Sequence, residues 1–342
     1  MMTKRYLVWI CLILLVVTSS CEKRNEIDNT GVVRTPYVMY IGGSLGSMFK
    51  TNDANYFDPL HYIDDVSIRQ VITADSNILY LKGNCYVSDD DGRAFNVCNT
   101  DARPYYDEPL YQKYFIPHQM HYDASRKRVY LCVNGDLAQS DDLGKTFTST
   151  GIGAAPTSVT ELDDDNVFAI QDESNIFVNL GGISGWAPVP INTPFAGGSN
   201  YFLTSFGTTL VATDYEGMNG CFYSTNGGVD WTSYGGVANN GVKILFVNAV
   251  ENAQGSMDLF LGRDGAGLYK LDVANGSFET SSIGIPSNAK IQYVVSKKIV
   301  FRTSVERFFY FCATDKGLYL SEQASAGADW RLVRDGEFST LQ

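Results

Sequence analysis

The sequence predicts an all-β chain folded as a seven-bladed β-propeller. Three observations predict it. A turn motif of fixed residue types recurs, a short apolar strand precedes each copy, and the aromatic residue closing each copy returns about every 45 residues. That period matches a four-stranded propeller blade. No long segment carries the 3.6-residue apolar period of a helix.

The clearest copies of the motif begin at Ser88, Ser140 and Ser224. They place Ser88, Asp90, Gly92 and Phe95 in register with Ser140, Asp142, Gly144 and Phe147, and with Ser224, Asn226, Gly228 and Trp231. All three read Ser-x-Asp/Asn-x-Gly-x-x-aromatic. The Asp or Asn accepts main-chain N–H groups inside a tight turn, Gly takes a backbone conformation that costs other residues, and the aromatic packs the hairpin against the core. Weaker copies fall into the same phase. Thr51, Asp53 and Asn55 lead to Phe57, Asn179 and Gly181 lead to Trp186, Lys270 and Asp272 lead to Phe278, and Ser321 leads to Trp330.

This motif resembles the Asp box of the bacterial neuraminidase repeat, so the predicted fold is a propeller with Asp-box hairpins. The resemblance implies that Asp90, Asp142 and Asn226 sit at the blade periphery and are structural. The pattern is also similar to that of the photosystem II stability and assembly factor propellers, which bind protein and catalyse nothing. A sialidase-like activity would need three arginines for a carboxylate, a Tyr with a Glu, and an acidic proton donor. Val33-Arg34-Thr35-Pro36 keeps two of four positions of the family's first arginine motif, and no surrounding motif supports Arg263 or Arg302 as the others.

Each motif follows a short apolar, β-prone run. These are Val38–Ile41, Ile78–Leu81, Val129–Cys132, Val167–Ile170, Leu210–Ala212, Leu259–Leu261 and Phe309–Cys312. Continuous apolar strands suit blades, whose two faces are covered by neighbours. The ring must close to hide its strand edges. The stretch Val32–Tyr40 is expected to pair beside the last blade, near Arg331-Leu332-Val333.

Lys4 and Arg5 precede a twelve-residue apolar run, Tyr6–Val17. A membrane span needs about 20 such residues, and the shorter run suits a secretory signal. Thr18, Ser19, Ser20 and Cys21 follow. That ending resembles the bacterial lipobox, with Thr18 where Leu is usual. It implies cleavage before Cys21, acylation of its thiol, and attachment to membrane through lipid alone. Glu22, Lys23 and Arg24 resemble the charged tag of Bacteroidetes surface lipoproteins. The expected organisation is a signal peptide over 1–20, a lipidated tether over 21–33 and the propeller over 34–342. The expected location is the outer membrane, at the cell surface or the periplasmic face.

Removing residues 1–20 takes away two positive charges and no acid, and the net charge moves from −12 to −14. Such an acidic body argues against nucleic acid as a partner. A monomer is expected.

Five cysteines remain in the predicted propeller. Cys85 and Cys98 flank the first clear motif and are placed to bridge the hairpin. Cys132, Cys221 and Cys312 fall in separate blades, too far apart for bonding to one another. Buried reduced thiols and one disulfide both fit this pattern. No cysteine pair has metal-ligand spacing, and Asp89–Gly92 lacks the alternation of a calcium loop. No metal or cofactor is expected.

The longest departures from the period are two 52-residue gaps. One carries Tyr105, Tyr106, Tyr111, Tyr114, His118 and His121, including two of the three histidines. This aromatic stretch either packs on a propeller face or forms a stacking platform for a sugar or a protein segment. The favoured function is a non-catalytic lipoprotein that binds a carbohydrate or protein ligand. The alternative is a glycoside hydrolase with its site at the channel mouth, for which Asp64, Asp65, Asp107 and Glu108 are the acids on long connections.

Overall fold

The computed structural model describes residues 33–35, 39–51, 56–61, 67–100, 116–133, 135–162, 166–181, 185–192, 195, 200–301, 306–322 and 329–342. They form seven sheets, antiparallel but for one short outer strand, the blades of a seven-bladed β-propeller. The only helical element among the described residues is a single 3-10 turn, Ser44–Gly46. The predicted signal and most of the tether lie outside the described residues.

Blades 2 to 6 each take four consecutive strands, ordered from the axis outward. The innermost strands are Gln70–Ala74, Met120–Asp123, Ser158–Glu161, Tyr201–Phe206 and Ile244–Glu251. Blade 7 begins at the axis with Ile291–Phe301 and ends outside with Arg331–Arg334. The second strands, such as Arg128–Val133 and Val167–Asp172, are almost fully buried. Side chains on both their faces pack against neighbouring blades, which is why their sequences are apolar without alternation. Seven apolar clusters result, several of which join adjacent blades.

The seven closing aromatics recur at one structural position. Phe57, Phe95, Trp186, Trp231 and Trp330 immediately precede the outermost strands of their blades, while Phe147 and Phe278 are the second residues of theirs. Phe147, Trp231, Phe278 and Trp330 are buried. Trp330 also donates its indole N–H to the Ser281 carbonyl in blade 6, at 2.7 Å.

The three clear turns share one hydrogen-bond pattern. Ser88 Oγ donates to Asp90 Oδ1 at 2.7 Å, Gly92 N–H donates to Ser88 Oγ at 2.9 Å, and Ala94 N–H donates to Asp90 Oδ1 at 2.9 Å. Ser140, Asp142, Gly144 and Thr146 repeat these bonds at 2.7, 2.8 and 2.8 Å. Ser224, Asn226, Gly228 and Asp230 repeat them at 2.9, 2.9 and 3.0 Å. Two main-chain donors and one hydroxyl are thereby satisfied within each turn. The N–H of Ala94 and the Ser88 hydroxyl hold the Asp90 carboxyl below the usual carboxylate range.

The ring closes differently from the expectation. Val33–Thr35 does pair with blade 7, but at Val300 and Phe301 of its innermost strand rather than near Arg331. Arg331–Arg334 pairs with Leu318–Leu320 at the outer edge. Closure comes from the other terminus. Phe338–Leu341 forms the innermost strand of blade 1, opposite Ile41–Gly43. Tyr40 and Gln342 exchange main-chain bonds at 3.0 Å in both directions. The repeat frame ends at its last aromatic, Trp330, so the strand beyond it has no counterpart motif to announce it.

Candidate functional site

The candidate site is the axis of the ring, at the end where the innermost strands begin. Polar side chains stitch neighbouring blades together there. Gln70 of blade 2 donates from Nε2 to the Met120 carbonyl at 2.8 Å and accepts the Met120 N–H at 2.9 Å. Ser158 of blade 4 accepts the Leu203 N–H of blade 5 at 2.6 Å. Asn248 of blade 6 donates to the Val294 carbonyl of blade 7 at 2.9 Å. These bonds satisfy main-chain groups that an innermost strand leaves unpaired toward the axis.

His118 lies over this mouth. It leads into the innermost strand of blade 3, and its carbonyl accepts the Val159 N–H of blade 4 at 2.9 Å. Its Nε2 is 2.8 Å from the Val247 carbonyl of blade 6. Its ring centroid is 6.1 Å from that of Phe202 in blade 5 and 6.3 Å from that of Tyr293 in blade 7. A residue of blade 3 that meets blades 4, 5, 6 and 7 crosses the axis, so the His118 ring stands in the channel mouth. Its backbone sits at φ 61°, a conformation uncommon outside glycine. A carbonyl only accepts, so Nε2 carries the proton of the neutral ring. Burial pushes the His118 pKa down to about 4, against the Val247 bond and with a smaller push from neighbouring His121. The ring is therefore an uncharged donor at neutral pH, even though part of the side chain still meets solvent.

His121 lies three residues on, in the innermost strand of blade 3. Its Nε2 is 2.9 Å from Glu161 Oε2 of blade 4, and both side chains keep some solvent contact. Lys297, on the innermost strand of blade 7, is half-buried, and burial pulls its pKa down.

Of the aromatic stretch singled out in the sequence, His118 and His121 are thus brought to the axis. Tyr105, Tyr106, Tyr111 and Tyr114 lie outside the described residues, as do Asp64, Asp65, Asp107 and Glu108. The chain leaves the described part at Asn99–Thr100, a strand that pairs in parallel with the outer edge of blade 3, and re-enters it at Ile116, buried beside Phe202 and Ile244. Arg263 is committed to the fold. One guanidinium nitrogen, Nη2, donates to the carbonyls of Ala238 and Val242 and to Asn240 Oδ1. Among the described residues no three His, Cys, Asp and Glu side chains gather as a metal site. No helix among them is long and apolar enough to cross a membrane.

A separate cavity of about 380 Å³ opens between blades 4 and 5, away from the axis. Phe168, Val178 and Val189 form its apolar wall, and Thr225, Asn226 and Gly227 of the blade 5 turn form its rim. None of the described residues lining it is an acid, a base or a cysteine. Nothing in the sequence pattern marks it, because its walls come from two blades.

No family model matches the chain, and no curated protein matches it. Solved structures do. A YCF48 propeller bound to a D1 peptide superposes with a TM-score of 0.54 at 12% identity, covering 84% of this chain and 89% of that one. YCF48 from Cyanidioschyzon merolae gives 0.52 at 14% identity, over 79% and 85%. An ancestral GH74 enzyme gives 0.55 at 13% identity, over 78% of this chain but only 38% of the enzyme. The likeness is one of fold. At such identities it carries the propeller architecture and leaves the chemistry to the site.

Proposed function

We propose that this chain is a non-catalytic binding propeller whose ligand is a protein segment or a carbohydrate, held on the axial face around His118. The imidazole bonded across the axis carries the proposal. Glycosidase chemistry needs two opposed carboxyl groups around an open site. Here a neutral imidazole is bonded across the axis, and Glu161 is engaged by His121. A mouth bridged and stitched in this way makes a rigid platform rather than a reaction funnel. A protein segment is the favoured ligand, by analogy with the YCF48 propeller bound to a D1 peptide. The Asp-box hairpins, in this reading, hold the ring together and take no part in binding.

The same reading makes the protein a monomeric lipoprotein, acylated at Cys21 and presented at the surface or the periplasmic face of the outer membrane. Its net charge of −14 after processing disfavours nucleic acid as the ligand.

The test probes the folded protein with a displayed peptide library and a glycan array, and in parallel screens a glycoside panel for turnover. Binding to peptides or glycans that weakens in Tyr111→Ala or Tyr114→Ala, with no turnover, is expected. Turnover abolished by substituting Asp64, Asp65, Asp107 or Glu108 would replace the proposal with a glycoside hydrolase.

A further inference from the structure

Cys85 and Cys98 face each other across the outer hairpin of blade 2. The pairing of Tyr86 with Val97 and of Val87 with Asn96 sets the register, and the next step places Cys85 opposite Cys98. The Cys98 N–H donates to the Cys85 carbonyl at 2.9 Å. Residues so opposed have Cα atoms about 4.5 to 5.5 Å apart, inside the roughly 4.4 to 6.8 Å span of disulfides. Both side chains are buried, at 1% and 3% exposure, so the two sulfurs share one dry space. Met120 closes that space, with its sulfur 3.8 Å from Cys85 Sγ. The other three cysteines among the described residues sit singly in blades 3, 5 and 7.

We infer that Cys85 and Cys98 are a redox pair that closes to a disulfide when the chain folds in the presence of a disulfide-donating oxidant. One thiolate attacks the donor disulfide, and its first sulfur leaves as a thiol. The second thiolate then attacks the mixed disulfide, and the donor's other sulfur leaves. The pair loses two hydrogens, and the donor is reduced to two thiols. Both cysteines are thiols in the structure. Hydrogen bonding to Cys98, then burial, pushes the Cys85 thiol well up, and the burial of both side chains shuts out a donor disulfide once the blade has packed. The bond therefore forms during folding rather than after it, and it staples the two arms of the Ser88–Phe95 turn. This inference is independent of what the propeller binds and of where the chain resides.

The full chain, unfolded and reduced, is refolded with oxidised or with reduced glutathione, blocked with an alkylating label and digested with trypsin without reductant. Cleavage after Lys82, Arg93 and Lys113 separates Cys85 from Cys98 into peptides 83–93 and 94–113, the Arg103–Pro104 bond resisting trypsin. After oxidised refolding the two peptides are expected as one species, lighter by two hydrogens than their sum and split by dithiothreitol. Cys132, Cys221 and Cys312 carry the label. The oxidised protein should melt about 4 °C above the same protein in dithiothreitol, a difference absent in Cys98→Ser. Label on both Cys85 and Cys98 after oxidised refolding, or Cys85 bonded to another cysteine, overturns the inference.

Discussion

The imidazole Nε2 of His118, in blade 3, donates to the Val247 carbonyl of blade 6 at 2.8 Å, across the axis of the ring. Protonating that ring places a charge in a largely desolvated position. The folded pKa of about 4 lies below the ordinary His value of 6.5. The unfolded chain therefore binds a proton between pH 6.5 and 4 that the folded chain refuses. Stability is full above pH 6.5 and falls as the pH drops toward 4, by at most about 3 kcal/mol from this residue. Urea unfolding at pH 7 and pH 4.5 measures it. His118→Asn, which tolerates a positive φ, should flatten the profile over this window. An unchanged profile would mean that the mouth is wet.

The turn glycines give a graded prediction. Gly92, Gly144 and Gly228 have φ of 80°, 91° and 87°, so alanine at any of them costs about 1 to 2 kcal/mol in backbone strain. What differs is the preceding blade, against which each turn tucks. A methyl at 144 would overlap Leu79 of blade 2, one at 92 would come within 2.8 Å of Leu60 in blade 1, and one at 228 would stay 3.5 Å from Val189 in blade 4. Overpacking adds about 1 to 3 kcal/mol where the neighbour cannot move. Thermal unfolding should rank the losses Gly144→Ala, then Gly92→Ala, then Gly228→Ala.

These turns were legible in the sequence because their chemistry is local. Ser140, Asp142 and Gly144 bond to one another within five residues, so the motif survives intact in the chain and fixes the blade period. The axis was not legible. His118 stands out in the sequence only as a histidine in an aromatic stretch. Its partner is a main-chain oxygen 129 residues away, which no residue type announces. The same holds for closure, since Phe338–Leu341 pairs through its backbone with a strand almost 300 residues earlier. Non-local contacts made by main chain leave no compositional trace.

Acylation at Cys21 is testable directly. Cells producing the chain with labelled palmitate should yield a labelled protein that partitions into detergent. Cys21→Ser should remove the label and leave the signal uncleaved or the protein unanchored. Label retained in Cys21→Ser would place the lipid elsewhere and remove the lipoprotein reading.

Closure by the C-terminal strand makes the strongest demand on the fold. Phe338 and Leu341 are buried among Met39, Ile41, Phe309 and Phe311, so one short strand joins the cores of blades 1 and 7. Ser339 Oγ lies within hydrogen-bond reach of the carbonyls of both Gly42 and Ile68, which share its one proton, tying it to the start of blade 2 as well. Deleting residues 338–342 would leave the Ile41–Gly43 edge unpaired and an apolar slot open at the axis, a template for association with another chain. The expected result is loss of the cooperative unfolding transition and growth of aggregates, seen by circular dichroism and size-exclusion chromatography. Leu341→Ala keeps the backbone pairing and removes only packing, so it should fold and cost about 2 to 5 kcal/mol. A deletion variant that still unfolds cooperatively near the parent temperature would show that blade 1 closes the ring without its fourth strand.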